Sequence, residues 1–483
     1  MIDDFHRAVE AGSDLEFDLC IAGAGAAGIT LATALADSGL RICLLEGGGL
    51  EPPGPDGLDP YRGEVTDRPY PLPGSRLRYF GGSTNHWGGW CRPLDAIDFE
   101  IRSHVPLSGW PITRADLDVY YDRAHRICQI PHPDYDPAGV EVDAPTLLPT
   151  IGDFSSKLFR FSPPTRFGRT YRAPLAAARS VTVLTGANVV GLRRRGRRID
   201  AARVSSLDGN KSAIVRAARF VLAMGGIENA RMLLLPADGS DAPTVHDGDF
   251  VGRCFMDHFG FTPGYWLAPE GLRYFRFTTP RGDVLPMLSM SEQGLRNRGL
   301  RGFGIMAQPD APDPTYTGAA LTNPGFAEAA WGDAHRYRLV FMNEATPNPD
   351  SRVTLLAERD AIGVPRVRLD WRINSEDFEN IDRVMQALAR TLGAAGLARV
   401  QVTRRATDPD AVGSANMHHM GTTRMSASPR TGVVDADCRV HGLDNLFVAG
   451  SSVFPTAGFC NPTLTIVALA ARLADHLRAG VKS

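Results

Sequence analysis

The sequence predicts an α/β fold built on a Rossmann-like, dinucleotide-binding domain. Near the N-terminus, an apolar strand over residues 17–22 leads into G-x-G-x-x-G, a helix of small residues and a second strand over 41–45. A continuous apolar run is typical of a central strand in a parallel sheet. Near the C-terminus, a short strand at 446–449 leads through a loop to a helix from residue 462. Strands that alternate with helices indicate a parallel sheet covered by helices.

The N-terminal loop has glycines at the spacing that a dinucleotide requires. Gly23 permits the tight turn, Gly25 lets a pyrophosphate approach the backbone, and Gly28 lets the helix pack on the strand. Ala26 and Ala27 belong to the same predicted site, where the helix N-terminus faces the phosphates. The alternative is a glycine-rich turn that binds no ligand.

An acidic residue stands where a ribose would lie. Glu46 closes the second strand, can bind both ribose hydroxyls, and would repel a 2′-phosphate. These features do not separate NAD from FAD. The C-terminal strand, loop and helix distinguish the two cofactors in favour of FAD, because large FAD folds complete the nucleotide-binding sheet with the end of the chain. FAD is therefore the predicted cofactor.

The composition excludes several classes of protein. The 483 residues suffice for two or three domains, and 43% hydrophobic and 22% charged residues are typical of a soluble protein. A net charge of -2 predicts no nucleic acid partner. The basic run at 192–198 lies between two strand-like segments, which predicts an exposed hairpin turn.

The cysteines and the N-terminus indicate a cytoplasmic location. The seven cysteines are scattered and lack CxxC spacing, which suits a reducing compartment. The acidic N-terminus shows no signal peptide, and no apolar run approaches the ~18 residues of a membrane span. The adjacent histidines 418 and 419 do not have zinc-ligand spacing, so no metal is expected.

Six features in the same order, the last of them a pair of segments, resemble the glucose–methanol–choline (GMC) flavoprotein oxidoreductases. The resemblance spans nearly the whole chain. The segments are the N-terminal fingerprint at 17–49, "RYFGGSTNHWGGWCRP" at 78–93, "FVLAMGGIENARMLLL" at 220–235, "VGRCFMDH" at 251–258, "PNPDSRVTL" at 347–355, and the C-terminal pair "HHMGTTRM" at 418–425 and "NPTLTIVALAARLAD" at 461–475.

The resemblance implies a division into two domains. A discontinuous FAD-binding domain would comprise residues 1–150, 175–260 and 405–483, and a substrate-binding domain of antiparallel sheet and helices would comprise 261–404 with part of 150–175. The proline-rich stretch at 51–76 cannot form a helix or a central strand. The resemblance places it over the flavin; the alternative is a surface loop.

The resemblance also implies a general base. Oxidation of an alcohol requires a base for the hydroxyl proton and an acceptor for the hydride, which in this family is flavin N5. The family pattern H-x-x-G-T falls on His418, Gly421 and Thr422. His419 then points to the opposite side, as adjacent residues of an extended segment do. The alternative is a pair of buried histidines without chemistry.

The second active-site position of the family is His or Asn, and here it is Asn461. An amide can donate a hydrogen bond to the developing alkoxide. Asn461 could also cap the helix, with Pro462 as its first residue, and the two roles are compatible. The positive end of that helix would face the flavin pyrimidine ring.

The remaining flavin contacts follow from the same resemblance. His86 stands at the position that carries FAD covalently in some members; the alternative is a histidine packed beside the flavin. Further expected cofactor-binding positions are Gly81, Gly82, Ser83, Asn85, Val189, Ala223, Gly450, Ser451, Asn461, Pro462 and Thr463.

The implied activity is FAD-dependent oxidation of a hydroxyl group to a carbonyl on a sugar, glycoside or sugar-derived natural product. Alternatives are a non-sugar alcohol, a flavin-containing lyase, a flavin monooxygenase, and a flavin-binding protein without activity. The electron acceptor stays open between oxygen, a quinone and a redox protein. The aromatic residues Tyr265, Trp266, Tyr274 and Phe275 could stack on a sugar or belong to the core.

Overall fold

The computed structural model describes residues 1–140, 147–148, 150–163, 165–238, 244–246, 248–268, 272–309, 335–408 and 413–480. The strands in these ranges are β1 (Ile2–Asp4), β2 (Ser13–Ala22), β3 (Ile42–Glu46), β4 (Gly63–Asp67), β5 (Trp90–Cys91), β6 (Phe154–Phe161), β7 (Val181–Thr185), β8 (Asn188–Arg195), β9 (Arg198–Ser205), β10 (Ser212–Leu222), β11 (Phe259–Ala268), β12 (Phe277–Thr279), β13 (Gly282–Met290), β14 (Phe303–Pro309), β15 (His335–Asn343), β16 (Arg352–Arg359), β17 (Pro365–Trp371), β18 (Arg399–Val402), β19 (Ser414–Ala415) and β20 (Leu446–Val448).

The helices complete the described elements. The α-helices are α1 (Phe5–Ala8), α2 (Ala26–Leu35), α3 (Ala115–Ile127), α4 (Phe167–Thr170), α5 (Arg172–Ala177), α6 (Gly225–Leu234), α7 (Glu292–Arg298), α8 (Ser375–Ala394) and α9 (Thr463–Ala479). Short 3₁₀ helices lie at Pro55–Tyr61, Gly82–Asn85, Ala96–Phe99, Pro137–Gly139 and Ser451–Val453. None of the helices in the described ranges has the length and apolar character needed to cross a bilayer.

The first sheet contains the predicted nucleotide-binding unit. Its strands run in the order β1-β7-β3-β2-β10-β9-β8, and β20 pairs in parallel with β10 at Phe220–Leu446. The C-terminal strand thus returns to the sheet of the N-terminal loop, as predicted. All five residues of β3 are buried, as expected of a central parallel strand. The α/β fold class is confirmed.

The first sheet differs from the sequence prediction in its boundaries. β2 begins at Ser13 instead of residue 17, because residues 13–16, which include three polar side chains, still pair with β10 while alternating between half-buried and exposed positions. β8 and β9 form the predicted hairpin, and Gly196 supplies the left-handed turn at φ 58°.

The second sheet is antiparallel, with strands in the order β18-β11-β15-β14-β13-β6-β5, β12 on β13 and β19 on β11. Two of its strands, β5 and β6, precede residue 175, and β11 begins at Phe259. The second sheet thus includes strands from more than one of the predicted ranges, and the domain boundaries given above stay a prediction. The pairing of β19 with β11 matters most for function, because it joins the segment before the two histidines to the start of β11.

The proline-rich stretch forms part of a third, small sheet. It contains the 3₁₀ helix Pro55–Tyr61 and the strand β4, which pairs in parallel with β17 at the edge of the order β16-β17-β4. An edge position is compatible with the surrounding prolines, since the free side of the strand needs no backbone donors. The prediction that this stretch forms no central strand is confirmed, but the prediction that it forms no helix is wrong for Pro55–Tyr61, where Pro55 occupies the first turn and needs no backbone donor.

Candidate active site

A cavity of about 630 Å³ connects the loop after β2 with the two histidines. Of the residues singled out in the sequence, those that line it are Gly23, Gly25, Ala26, Ala27, Glu46, Gly82, Ser83, His86, Val189, Ala223, His418, His419, Gly450, Ser451, Asn461, Pro462 and Thr463. Segments far apart in sequence thus share one cavity. Gly28, Gly81 and Asn85 are absent from this lining, and their contacts explain why.

The three glycines after β2 meet different constraints. Gly23 has φ 103°, and a Cβ there would lie 2.5 Å from the carbonyl oxygen of Ala223. A Cβ on Gly28 would lie 1.9 Å from the carbonyl oxygen of Gly23, so Gly28 serves the packing of α2 on the loop. Gly25 has no atom within 4 Å of its Cβ position. The loop therefore leaves open space over Gly25.

The start of α2 and the end of β3 meet at this open space. Gly25 is the N-cap of α2 and makes no side-chain cap hydrogen bond, so the helix presents free backbone N–H groups. The Glu46 carboxylate accepts hydrogen bonds from the backbone N–H groups of Ala24 (3.0 Å) and Gly48 (2.9 Å). Burial raises the pKa of Glu46. Each carboxylate oxygen keeps a lone pair for a further donor.

The loop before β5 is held from behind. Gly81 adopts φ 101°, and the Asn85 amide donates to the carbonyl of Phe80 (2.8 Å) and accepts from the backbone N–H of Gly168 (3.1 Å). Asn85 thus stabilises the loop instead of lining the cavity. His86 is exposed, and its Nε2 lies 2.7 Å from the hydroxyl of Tyr79.

The two histidines belong to a bulge beside β11. Met256 bridges Met420 and Phe259 pairs with Ala415, so two residues on one side face four, 416–419, on the other. The extra residues push the chain outward, as in other β-bulges. Met417 at its tip has φ 63° and is 47% exposed.

His418 and His419 point to different surroundings, as the sequence predicts. His418 Nε2 lies 3.3 Å from the Asn461 amide nitrogen, at the cavity. His419 contacts the rings of Tyr70 and Phe255, with centroid distances of 5.7 and 5.8 Å. Burial lowers the pKa of His419 to about 3 and that of His418 well below its usual range, with a smaller contribution to the latter from His258.

The helix-cap interpretation of Asn461 is wrong. α9 begins at Thr463 with Pro462 as its N-cap, and no side chain caps it. Asn461 stands one residue too early, and its amide nitrogen is directed to His418 instead. Its buried Oδ1 has no hydrogen-bond partner among the described residues. The free N-terminus of α9 lines the cavity through Pro462 and Thr463.

A buried carboxylate holds the bulge in place. Asp257 accepts hydrogen bonds from the backbone N–H groups of Met417 (2.9 Å) and His418 (2.8 Å) and from the hydroxyl of Tyr70 (2.8 Å). Burial raises the pKa of Asp257 to about 7. The next residue, His258, lies with its Nδ1 2.9 Å from Nδ1 of His418.

Sequence reasoning missed several of these residues. Asp257 and His258 end the quoted segment "VGRCFMDH", and two polar residues after an apolar run were the available signal. Arg76 and Arg78 also line the cavity from the proline-rich side. Arg76 pairs with Glu228 at 2.5 Å.

The aromatic residues proposed to stack on a sugar do not reach the cavity. Trp266 and Tyr274 are fully buried and contact each other edge to face at 5.5 Å. The Tyr274 hydroxyl lies 2.6 Å from that of Ser156. The guanidinium of Arg336 lies 4.6 Å from the ring of Tyr265. For Trp266 and Tyr274, the core interpretation is correct.

The cavity fits FAD in two respects that the structure itself provides. The space over Gly25, next to the free N-terminus of α2, suits a pyrophosphate. The unsatisfied Oδ1 of Asn461 is a buried acceptor that calls for a donor from outside the chain. Within the described ranges, no group of three or more His, Cys, Asp or Glu side chains is arranged to hold a metal ion.

Comparison with known proteins agrees with this architecture. Residues 347–470 match the family model described as GMC oxidoreductase. The chain is 27% identical to the 6'''-hydroxyparomomycin C oxidase of Streptomyces lividus, over 98% of this chain and 94% of that protein. It is 28% identical to the paromamine 6'-oxidase of Streptomyces fradiae, over 95% and 91% of the two chains. The 2-methyl-1,2-propanediol dehydrogenase of Mycolicibacterium austroafricanum is 26% identical over 95% of each chain.

The fold recurs among solved structures. A formate oxidase of Aspergillus oryzae superimposes with a TM-score of 0.60 at 18% identity, covering 98% of this chain and 100% of that one. At this identity, the likeness concerns the fold alone.

Proposed function

We propose that this chain is a GMC oxidoreductase that uses FAD to oxidise a hydroxyl group of a sugar, glycoside or sugar-derived natural product to a carbonyl. The two relatives with paromomycin-type and paromamine substrates, which match over nearly the full chain, support the substrate class. The observation that carries the proposal is the position of His418 Nε2 beside Asn461, in the same cavity as the glycine loop.

The residues that would hold FAD follow from the geometry. The N–H groups at the start of α2 would bind the pyrophosphate, and Glu46 would bind the ribose hydroxyls. The N-terminus of α9, which lines the cavity, would stabilise negative charge on the flavin. When bound, FAD supplies the acceptor for the hydride.

The substrate side of the reaction belongs to His418 and Asn461. Neutral His418 accepts the hydroxyl proton at Nε2. The Asn461 amide has a second N–H besides the one near His418, and it donates to the oxygen on which negative charge develops. Both side chains are half-buried in the cavity wall, where the effective dielectric constant is lower than in water, and this strengthens these interactions.

An anaerobic screen tests this function. Purified protein with FAD is mixed with paromamine, D-glucose, a C-glycoside and 2-methyl-1,2-propanediol, and the flavin absorbance is followed. We expect bleaching by at least one sugar-type compound. Bleaching by the diol alone would favour the non-sugar alcohol, for which the dehydrogenase relative is the supporting observation. If none of these alcohols bleaches the flavin, the proposed oxidation is wrong and a lyase of this fold becomes the better hypothesis.

We further propose that FAD is attached to His86: a ring nitrogen would lose its proton and bond to a flavin carbon that gives up one hydrogen, and the electron pair released would pass through the flavin to the enzyme's electron acceptor. The histidine directly follows the 3₁₀ helix Gly82–Asn85 and lines the cavity. After acid precipitation, the flavin should stay with the polypeptide, and His86→Ala should release it to the supernatant. His104→Ala, at a histidine outside the cavity lining, is the matched control and should retain it. Free flavin from the unmutated protein would show non-covalent binding.

A further inference from the structure

We propose that His258 is a positioning residue that sets the tautomer of His418, so that Nε2 of His418 faces the cavity without a proton. The proposal rests on the role of His418 as the base. It concerns His258, a residue outside the H-x-x-G-T pattern, which therefore assigns it no role. The supporting observation is a chain of hydrogen bonds that begins at two backbone carbonyls. A carbonyl can only accept, and this fixes the donor and acceptor at each later step.

The chain starts at two backbone carbonyls. Nε2 of His258 lies 2.9 Å from the carbonyl oxygen of Gly458 and 3.3 Å from that of Ala457. A carbonyl oxygen only accepts hydrogen bonds. Nε2 of His258 must therefore carry the proton, since an unprotonated nitrogen would place its lone pair against two oxygens.

Burial then determines the protonation state of Nδ1, the other ring nitrogen of His258. The side chain is fully buried, and burial lowers its pKa to about 4. The ring is neutral at physiological pH, so Nδ1 carries a lone pair. This nitrogen lies 2.9 Å from Nδ1 of His418 and can only accept.

The state of His418 follows. Its Nδ1 must donate to His258, and because burial keeps the ring neutral, its Nε2 holds the lone pair. The amide nitrogen of Asn461, 3.3 Å from Nε2, is a donor and is compatible with this state. The opposite tautomer would present an N–H to the substrate hydroxyl and could not accept its proton.

The fold explains why the two rings meet. His258 directly precedes β11, and the bulge at 416–419 faces it across the pairing of Phe259 with Ala415. Asp257 binds the backbone N–H groups of Met417 and His418. Asp257 thus holds the backbone of His418, and the next residue, His258, holds its ring.

The tautomer can be measured without a substrate. In the FAD-containing protein labelled with ¹⁵N-histidine, NMR correlations between ring nitrogens and carbon-bound protons distinguish protonated from unprotonated nitrogen. His418→Gln assigns the His418 signals by their loss. We expect protonated Nδ1 and unprotonated Nε2 in His418. A protonated Nε2 in the unmutated resting enzyme would overturn the proposal, even if every other variant failed to fold.

Variants of His258 supply the second test. His258→Leu removes the acceptor, so the His418 signals should shift to those of a tautomer mixture. His258→Asn restores an acceptor oxygen near the position of Nδ1 and should restore the single tautomer. His125→Leu removes another buried histidine, which contacts Tyr135, and should leave His418 unchanged. An unchanged His418 spectrum in folded His258→Leu contradicts the proposal. Because no step needs an alcohol, this result is independent of whether the proposed oxidation is correct.

Discussion

His418→Ala slows anaerobic flavin reduction by about 10²–10⁴-fold, the range typical of a lost general base, while FAD stays bound. His419→Ala has a much smaller effect on the same step, because that side chain contacts Tyr70 and Phe255 rather than Asn461. Asn461→Ala lies between the two, since it removes a donor to the developing alkoxide and leaves the base in place. The measurement is stopped-flow reduction by one alcohol that bleaches the unmutated enzyme.

The pH profile of that step tests the same assignment. Only neutral His418 accepts a proton, and burial lowers its pKa well below the usual 6.5. The loss of rate caused by protonation of His418 should therefore appear only at pH values clearly below 6.5, separate from any change near pH 7, where Asp257 takes up a proton. If flavin reduction is slow in His419→Ala and unaffected in His418→Ala, His419 is the base and the assignment to His418 is wrong. If neither substitution matters, the base lies elsewhere.

Gly28→Ala destabilises the protein by at least about 3 kcal/mol, the upper part of the range for overpacking. Its Cβ would lie 1.9 Å from the carbonyl oxygen of Gly23, and a backbone atom cannot rotate away as a side chain can. α2 or the loop must move, and both belong to the FAD site. FAD retention and the thermal unfolding midpoint should fall together.

Gly25→Ala separates binding from folding. The methyl group meets no protein atom within 4 Å, so the FAD-free protein should keep its stability to within about 1 kcal/mol. The same methyl group enters the space assigned to the pyrophosphate, and FAD affinity should fall by about 10–100-fold. Gly54→Ala, also in open space but outside the cavity, is the control and should change neither quantity. Unchanged FAD affinity in Gly25→Ala would place the pyrophosphate elsewhere.

The sequence by itself determined the nucleotide-binding half of this protein. The strand, the loop with Gly23 and Gly28, the helix and the terminal Glu46 are contiguous, and their conformation depends on local backbone geometry and apolar patterning. It also predicted His418 and Asn461 as the active-site pair, through a resemblance that covers nearly the whole chain. The absence of a central strand at residues 51–76 follows in the same way from the prolines of that stretch.

Only the tertiary structure decided what surrounds the two histidines. His418 and His258 are 160 residues apart in sequence, and Asn461 is 43 residues from His418. Their contacts depend on the pairing of β19 with β11 and on the bulge at 416–419. Sequence patterns report which face of an element is buried, but the partner of a buried polar group depends on the register of non-local strands. For the same reason, Trp266 and Tyr274 could be assigned to the core only after the second sheet was known.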